Sequence, residues 1–232
     1  MRFHGAVAIA DADGRVLLGV GDIERPVYPR SAVKAMQALP LIESGAADAF
    51  RLGGKELAIA CASHSGEDAH IDAVRSLLAK AGLDESQLAC GAHWPIGERA
   101  SRELMRAGKS PTAIHNNCAG KHAGMLAVAV HRGLDPVGYE RLDHPVQQEI
   151  RRILSETCGI ALEADAIGID GCSVPTFALS LAAVATGFAR LASGRGLEPA
   201  RAKAARRLMD ACFAAPDLVA GVYIGFDQPK SL

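Results

Sequence analysis

Two apolar runs stand at the start of the chain, separated by a short polar stretch. They cover residues 5–10 and 15–20, and Asp11-Ala12-Asp13-Gly14 lies between them. Asp-Gly between two apolar runs is a strong signal for a tight turn that joins antiparallel strands. The pattern therefore predicts an N-terminal β-hairpin.

Helical periodicity dominates the rest of the chain, most clearly over residues 67–81. One face of that segment collects four apolar residues: Ile71, Val74, Leu77 and Leu78. Further helices are predicted over residues 97–107, 119–131, 145–157, 176–192 and 198–214. Residues 56–62 and 164–170 are interpreted as short buried strands. The sequence thus predicts an α+β fold with an early hairpin and a helical middle.

Composition narrows the class of protein. The chain has 232 residues, of which 49% are apolar and 22% are charged. Such a chain forms one domain, or at most two small ones, with a core that needs no disulfides. The net charge of −1 gives no reason to expect a nucleic acid or an anionic membrane as partner. No run approaches the roughly 20 apolar residues of a membrane helix.

Six cysteines are spread along the chain at wide and irregular intervals, and no export signal precedes them. This usage favours reduced thiols or metal ligands over a disulfide framework. We therefore expect a cytoplasmic protein.

The segment Ser31-Ala32-Val33-Lys34 places a hydroxyl and an amine three residues apart at a predicted helix start. Residues at this spacing share a helix face, so the amine of Lys34 is expected to reach the hydroxyl of Ser31. A neutral lysine could then take the serine proton, as in Ser-Lys acyl transferases. Uncharging a free lysine at pH 7 costs about 4.6 kcal/mol, which burial must offset. A serine cap followed by a surface lysine is the common alternative.

Two further stretches hold candidate chemistry. Residues 61–66, Cys-Ala-Ser-His-Ser-Gly, place small polar side chains where a strand is predicted to enter a helix, which suits either an anion site or plain helix capping. Cys118, Lys121 and His122 share one helix face, and Cys172 follows a later strand. Two thiolates and a nitrogen suit Zn²⁺, although isolated cysteines are more often core residues.

Taken together and in order, these stretches resemble the Rhizobium-type L-asparaginases, the asparaginase II family. The resemblance spans roughly residues 5–215 and is carried by YPRSAVKAMQALPLIESGAADAF, LAIACASHSGEDAH, CGAHWP, HNNCAGKHAGMLA, DHPVQQ and IGIDGCSVPTFALSLA. It implies a fold related to serine β-lactamases and glutaminases, hydrolysis of L-asparagine to L-aspartate and ammonia, and a homodimer. The catalytic residues that it implies are Ser31, Lys34 and Ser63.

The same resemblance implies a zinc site and a set of substrate-binding residues. The implied zinc ligands are Cys118, Lys121 and Cys172. The implied substrate-binding residues are Arg30, Asp170 and His122. A lysine binds zinc only as the neutral amine, so the metal would have to depress its pKa.

The chain also departs from this family near its end. Family members are longer, and the additional segment supplies another lysine, a partner for Ser63, and further sheet strands. The ending APDLVAGVYIGFDQPKSL leaves the family pattern after about Gly221 and resembles part of the transpeptidase domain of class A penicillin-binding proteins. We therefore expect an incomplete asparaginase II-like domain over residues 1–221, a foreign-looking tail over residues 222–232, and impaired activity.

Two alternative functions remain open at this point. The first is a penicillin-interacting serine acyl transferase, which the Ser-x-x-Lys motif and the tail favour, although the K-T-G strand of that class does not occur in the chain. The second is an inactive zinc-binding remnant of an asparaginase. Covalent labelling by a penicillin indicates the first alternative, and bound zinc without ammonia release indicates the second.

Overall fold

The computed structural model describes residues 4–162 and 166–221. Within these residues, four strands form two separate antiparallel hairpins, and eleven α-helices and three short 3-10 helices make up most of the rest. The strands are β1 (Val7–Ala10), β2 (Val16–Val20), β3 (Ile167–Ile169) and β4 (Pro175–Phe177). The helices are α1 (Lys34–Gln37), α2 (Leu39–Glu43), α3 (Ala46–Ala49), α4 (Gly54–Ala60), α5 (Asp68–Lys80), α6 (Glu98–Arg106), α7 (Ala119–His131), α8 (Pro145–Cys158), α9 (Leu181–Ser193), α10 (Pro199–Ala214) and α11 (Pro216–Ala220).

The predicted N-terminal hairpin is confirmed as β1 paired with β2. Its turn is held by Asp11, whose side chain accepts hydrogen bonds from the backbone N–H groups of Asp13 and Arg15. Gly14 takes the left-handed conformation that the turn requires, with φ of +87°. Helix α9 packs against β1, while most apolar side chains of both strands are exposed.

The predicted α+β class is confirmed, and the predicted helices at residues 67–81, 97–107, 119–131, 145–157 and 198–214 correspond to α5, α6, α7, α8 and α10. The prediction at residues 176–192 is correct for its later part only. Strand β4 occupies the beginning, and α9 starts after Ser180, whose hydroxyl accepts a hydrogen bond from the backbone N–H of Ala183.

The short strand predicted over residues 56–62 is wrong, because this segment forms helix α4. A short apolar run fits a buried helix as well as a buried strand. Glu56 stabilises the start of the helix, because its carboxylate accepts a hydrogen bond from the Gly53 backbone N–H in the first turn. The same carboxylate is buried and bonds to Ser76 and Lys80 of α5.

Strand β3 confirms the centre of the strand predicted over residues 164–170, whose beginning lies partly outside the described residues. The predicted tail over residues 222–232 also lies outside them. Across the two described ranges, no helix has the length and apolar character needed to cross a membrane.

The core forms where α4, α5, α7 and α10 pack together, with α8 and α9 on one side. Helix α7 approaches α4 very closely at Gly120, where a Cβ would lie 2.1 Å from the carbonyl oxygen of Ile59. Only glycine permits this approach. It sets the start of α7, with Cys118 and Lys121, beside the end of α4, where Ser63 follows.

Candidate active site

Lys34 lies at the centre of the site, almost completely buried at the start of α1. Its Nζ is 2.6 Å from the carbonyl oxygen of Ala62, 2.6 Å from Ser63 Oγ and 3.1 Å from the carbonyl oxygen of Asn117. These partners come from the end of α4 and the loop before α7. The close packing of the two helices therefore assembles the surroundings of the amine.

The amine of Lys34 can donate to all three oxygens when it is charged, and the same geometry also accommodates its neutral form. A carbonyl oxygen can only accept, so the two carbonyls use both N–H groups of a neutral amine. The remaining lone pair then faces the hydroxyl of Ser63. Burial lowers the pKa of Lys34, and the positive charge of Lys121 lowers it further against the opposing effect of Cys118 and Cys172. The arrangement can thus take a proton from a serine.

The spacing of Ser31 and Lys34 predicts a hydrogen bond between their side chains, but the structure joins Lys34 to Ser63 instead. Within the described part of the chain, the side chains of Lys34 and Ser31 share no hydrogen bond, and the two residues are linked only through the Lys34 backbone N–H, which donates to the Ser31 carbonyl oxygen. Ser31 lies one turn before the lysine and is exposed on the wall of a cavity of about 150 Å³. The residues that line this cavity are Arg30, Ser31, His93, Asn116, Asn117, Cys118, Asp170, Gly171 and Cys172.

Arg30 and Asp170 form an ion pair at the edge of this cavity. Both Nε and Nη2 of Arg30 donate to Asp170 Oδ1, at 3.1 and 2.7 Å, and the backbone N–H of Gly171 donates to the same oxygen at 2.8 Å. Asp170 is mostly buried, whereas the Arg30 side chain is 66% exposed. Arg30 has a φ of +49°, a strained conformation that sites of function often retain.

Two cysteines meet at the floor of the cavity. Cys118 precedes α7, and its backbone N–H donates to Asn116 Oδ1 at 2.9 Å. Cys172 lies in the tight turn between β3 and β4, where Ser173 has a φ of +75°. The hydrogen bond from Cys118, more than any other contact, lowers the pKa of the Cys172 thiol. Lys121 Nζ lies 3.1 Å from Cys172 Sγ.

These donors fit a tetrahedral zinc ion in kind. Zinc bonds of about 2.1–2.3 Å would place neighbouring ligands roughly 3.6 Å apart, so Lys121 Nζ and Cys172 Sγ, which lie 3.1 Å apart at a hydrogen-bond distance, would have to separate slightly. Among residues 4–162 and 166–221, no cluster of three or more His, Cys, Asp or Glu side chains could hold a metal. A metal at this place would therefore need the Lys121 amine as a ligand.

His122 follows Lys121 on α7 and is completely buried. It is not among the residues that line the cavity. Its Nδ1 lies 2.5 Å from the hydroxyl oxygen of Tyr139, and burial lowers the pKa of the ring. The side chain thus lies behind the cysteines rather than on the cavity wall.

A family model described as L-asparaginase II matches residues 1–224 of this chain. The chain belongs to the L-asparaginase II family. This membership makes it an asparaginase-type amidohydrolase. A search of curated proteins found no match.

Several residues of this L-asparaginase II site had no role predicted from the sequence, although Asn116, Asn117 and His93 lie in stretches that carry the family resemblance. Asn117 accepts the hydrogen bond from Lys34 through its backbone carbonyl oxygen, a role that cannot be predicted from the type of side chain. Asn116 organises the loop: its Nδ2 donates to the carbonyl oxygen of Cys90 at 2.7 Å. Its signal was the polar run before α7. His93 and Tyr139 stand outside any such run, and only the fold brings them near the site.

Proposed function

We propose that this L-asparaginase II family chain hydrolyses L-asparagine to L-aspartate and ammonia by serine chemistry. The observation that carries the proposal is the position of Lys34 Nζ, held by two carbonyl oxygens and 2.6 Å from Ser63 Oγ, where the neutral amine would direct its lone pair at that hydroxyl. Lys34 is also one helical turn from Ser31, the serine on the cavity wall. In the proposed site, Lys34 acts directly on Ser63 and through this pair on Ser31.

In the proposed reaction, Ser31 Oγ attacks the side-chain carboxamide carbon of asparagine. The serine proton passes to the pair formed by Lys34 and Ser63, and a tetrahedral oxyanion forms. The pair then returns the proton to the leaving nitrogen, so that ammonia departs and an aspartyl ester on Ser31 remains. Water attacks the ester carbon and gives its proton to the same pair; as the ester C–O bond breaks, the pair passes this proton to Ser31 Oγ, which releases L-aspartate and restores both Ser31 and the base.

Arg30 and Asp170 suit the two charged groups of a free amino acid. The exposed guanidinium of Arg30 can pair with the α-carboxylate. The second carboxylate oxygen of Asp170 remains for the α-ammonium group, because Oδ1 accepts all three hydrogen bonds described for this side chain. This pair would hold the substrate with its carboxamide toward Ser31.

Cys118, Cys172 and Lys121 would hold zinc in the proposed enzyme. When bound, the ion would supply a Lewis-acid centre at the cavity floor, its charge balanced by the two thiolates, that polarises a substrate oxygen. The three residues join the start of α7 to the β3–β4 turn. They would thereby also fix Asp170, which begins the same turn.

The test combines ammonia release with mass spectrometry of the acyl-enzyme. We expect the purified chain to release ammonia from L-asparagine, and Ser31→Ala to abolish both turnover and the ester. Ser63→Ala should slow formation of the ester on Ser31 by about 10²-fold or more. Ser44→Ala, at a helix end away from the cavity, is the control. An ester on Ser63, or labelling by fluorescent penicillin without ammonia release, would contradict the proposal.

A further inference from the structure

His93 is a side chain on the wall of the site cavity to which the proposed reaction gives no role. It shares this wall with Arg30, Ser31 and Asp170, above a floor that is formed by the two cysteines. His93 is exposed, so it lies at the mouth of the cavity rather than on the floor. Within the described residues, no other member of the segment 91–108 lines this cavity.

The backbone that carries His93 is held on its N-terminal side by Asn116. The Nδ2 atom of Asn116 donates to the carbonyl oxygen of Cys90 at 2.7 Å and to that of Gly91 at 3.2 Å. Asn116 is itself buried, and its Oδ1 accepts the hydrogen bond from the Cys118 backbone N–H. The loop that places Cys118 on the cavity floor therefore also fixes the backbone two residues before His93.

The same backbone is held on its C-terminal side by the loop that follows α4. Pro95 is buried, and it packs so closely on Gly66 that a Cβ at this glycine would lie 2.7 Å from the proline side chain. The backbone N–H of Gly97 donates to the carbonyl oxygen of Ser65 at 2.9 Å. Because both ends are fixed, the backbone of His93 cannot withdraw from a substrate without breaking these contacts.

The cavity is small, so its walls limit the length of a bound amino acid. Its volume is about 150 Å³, whereas ligand pockets usually enclose about 300 Å³ or more. In the proposed function, Arg30 and Asp170 hold the two α-groups of the substrate while Ser31 attacks the carboxamide. Both ends of the substrate are then fixed, and an additional methylene has to bulge toward a wall. With these three residues occupied, His93 is a large side chain that remains in the way.

We infer that His93 limits the length of the amino acid amide that the site accepts and is thus a specificity-determining residue. L-Asparagine fits the space beside the ring, whereas L-glutamine, which is one methylene longer, meets the ring. A single methylene of this kind changes kcat/KM by about 10- to 200-fold. The inference rests on the proposed function, because it takes Arg30 and Asp170 as the residues that hold the α-groups of the substrate.

The test compares kcat/KM for ammonia release from L-asparagine and from L-glutamine, with circular dichroism to confirm folding. His93→Ala should lower the asparagine-to-glutamine ratio by about 10-fold or more, because kcat/KM for glutamine rises. His93→Ser should do the same, whereas His93→Gln keeps most of the side-chain volume and should keep the ratio. Trp94→Leu is the matched control, since Trp94 belongs to the same segment but is not among the residues that line the cavity. An unchanged ratio in the folded small variants, or an equal loss of both substrates, would overturn the inference.

Calorimetric titration with the two products supplies a readout that needs no turnover. L-Aspartate and L-glutamate differ by the same methylene, and we expect the unsubstituted protein to bind L-aspartate about 10-fold more tightly or better. His93→Ala should reduce this preference and His93→Gln should keep it. Equal binding of both products by the unsubstituted protein, or a preference that His93→Ala leaves intact, would overturn this inference while the proposed function stands. Absence of both product binding and ammonia release would instead contradict the proposed function, and the inference would fail with it.

Discussion

Two buried lysines serve the candidate site, and their surroundings differ completely. Lys34 Nζ is enclosed by three oxygens, whereas Lys121 Nζ lies against the sulfur of Cys172. Oxygen acceptors leave a neutral amine with its lone pair on a hydroxyl, which suits proton transfer. A thiol beside an amine suits an ion pair or a shared metal. The partners that the fold supplies, rather than the residue type, determine what each lysine can do.

The two environments are nevertheless joined through one peptide unit. The carbonyl oxygen of Asn117 accepts the hydrogen bond from Lys34, and the next residue is Cys118, one of the two clustered cysteines. A displacement of this loop would change both environments together. Substitutions that remove one amine at a time can show whether the two functions are separate.

The largest expected effect follows the change Lys34→Met, which keeps the length of the side chain and removes the base. We expect kcat for ammonia release to fall by about 10³-fold or more. Lys34→Arg should not restore activity, because a guanidinium stays charged. Lys80→Met, which removes a lysine that bonds to Glu56, is the control with nearly unchanged kcat. Activity within tenfold of the unsubstituted chain would remove Lys34 from the proton-transfer role.

The second prediction concerns Lys121→Met and the proposed zinc site. Because this change removes a ligand, we expect zinc affinity to fall by about 10²-fold or more. Competition with a chromophoric chelator measures it. Lys34→Met should leave zinc affinity nearly unchanged. Equal losses in both variants would mean that the two lysines do not have separate roles.

The third prediction tests whether water is excluded from the region beside Ser63, the hydroxyl that contacts Lys34. His64 follows Ser63, is completely buried, and stacks on His70; burial lowers its pKa to about 3. The unfolded chain binds a proton at His64 below pH 6.5, whereas the folded chain does not until about pH 3. Stability is therefore lost as pH falls through this window, by about 2 kcal/mol between pH 7 and pH 5.

Urea unfolding at the two pH values measures this loss. His64→Leu should remove most of it, because the titrating group is gone while the volume is nearly kept. His4→Gln, at an exposed position, should leave it unchanged. A His64→Leu protein that loses as much stability as the unsubstituted chain would show that His64 is hydrated in the folded state.

The smallest expected effect is a shift in the pH dependence of activity. Lys34 acts as a base only when neutral, so kcat/KM should rise with pH as the amine loses its proton. Its pKa lies below the usual 10.5 because of burial, so this rise should occur below the range of a free lysine. The profile of Ser63→Ala should keep the same rising limb at a lower rate. A rate that falls with increasing pH over that range would contradict a lysine base.

Local patterns predicted part of this molecule correctly. Helix α7 and the first hairpin were recovered because their periodicity and turn residues act over neighbouring positions. The contact of Lys34 with Ser63 could not be predicted, since its partners are 29 and 83 residues away and meet only through helix packing. The segment of α4 was wrongly predicted as a strand for a related reason. Because it is buried on nearly all sides, its apolar residues show no periodicity that would distinguish a helix from a strand.

What the resemblance implied beyond the family stays a prediction. The zinc ligands and the homodimer belong to this group, and the cytoplasmic location, which the cysteine usage predicts, also stays a prediction. Lys121 Nζ lies beside Cys172 Sγ, but metal analysis of the purified chain must test zinc binding, as light scattering must test the dimer.

Gly120 offers a practical rule for anyone who redesigns this protein or screens related sequences. A saturation library at codon 120 should return glycine alone among active clones, because even alanine would strike the backbone of α4 at Ile59. A homologue with a larger residue there must hold the two helices farther apart. The residues that correspond to Ser63 and Lys34 would then no longer be in contact. The residue at this one position therefore indicates whether a related sequence can form the same site.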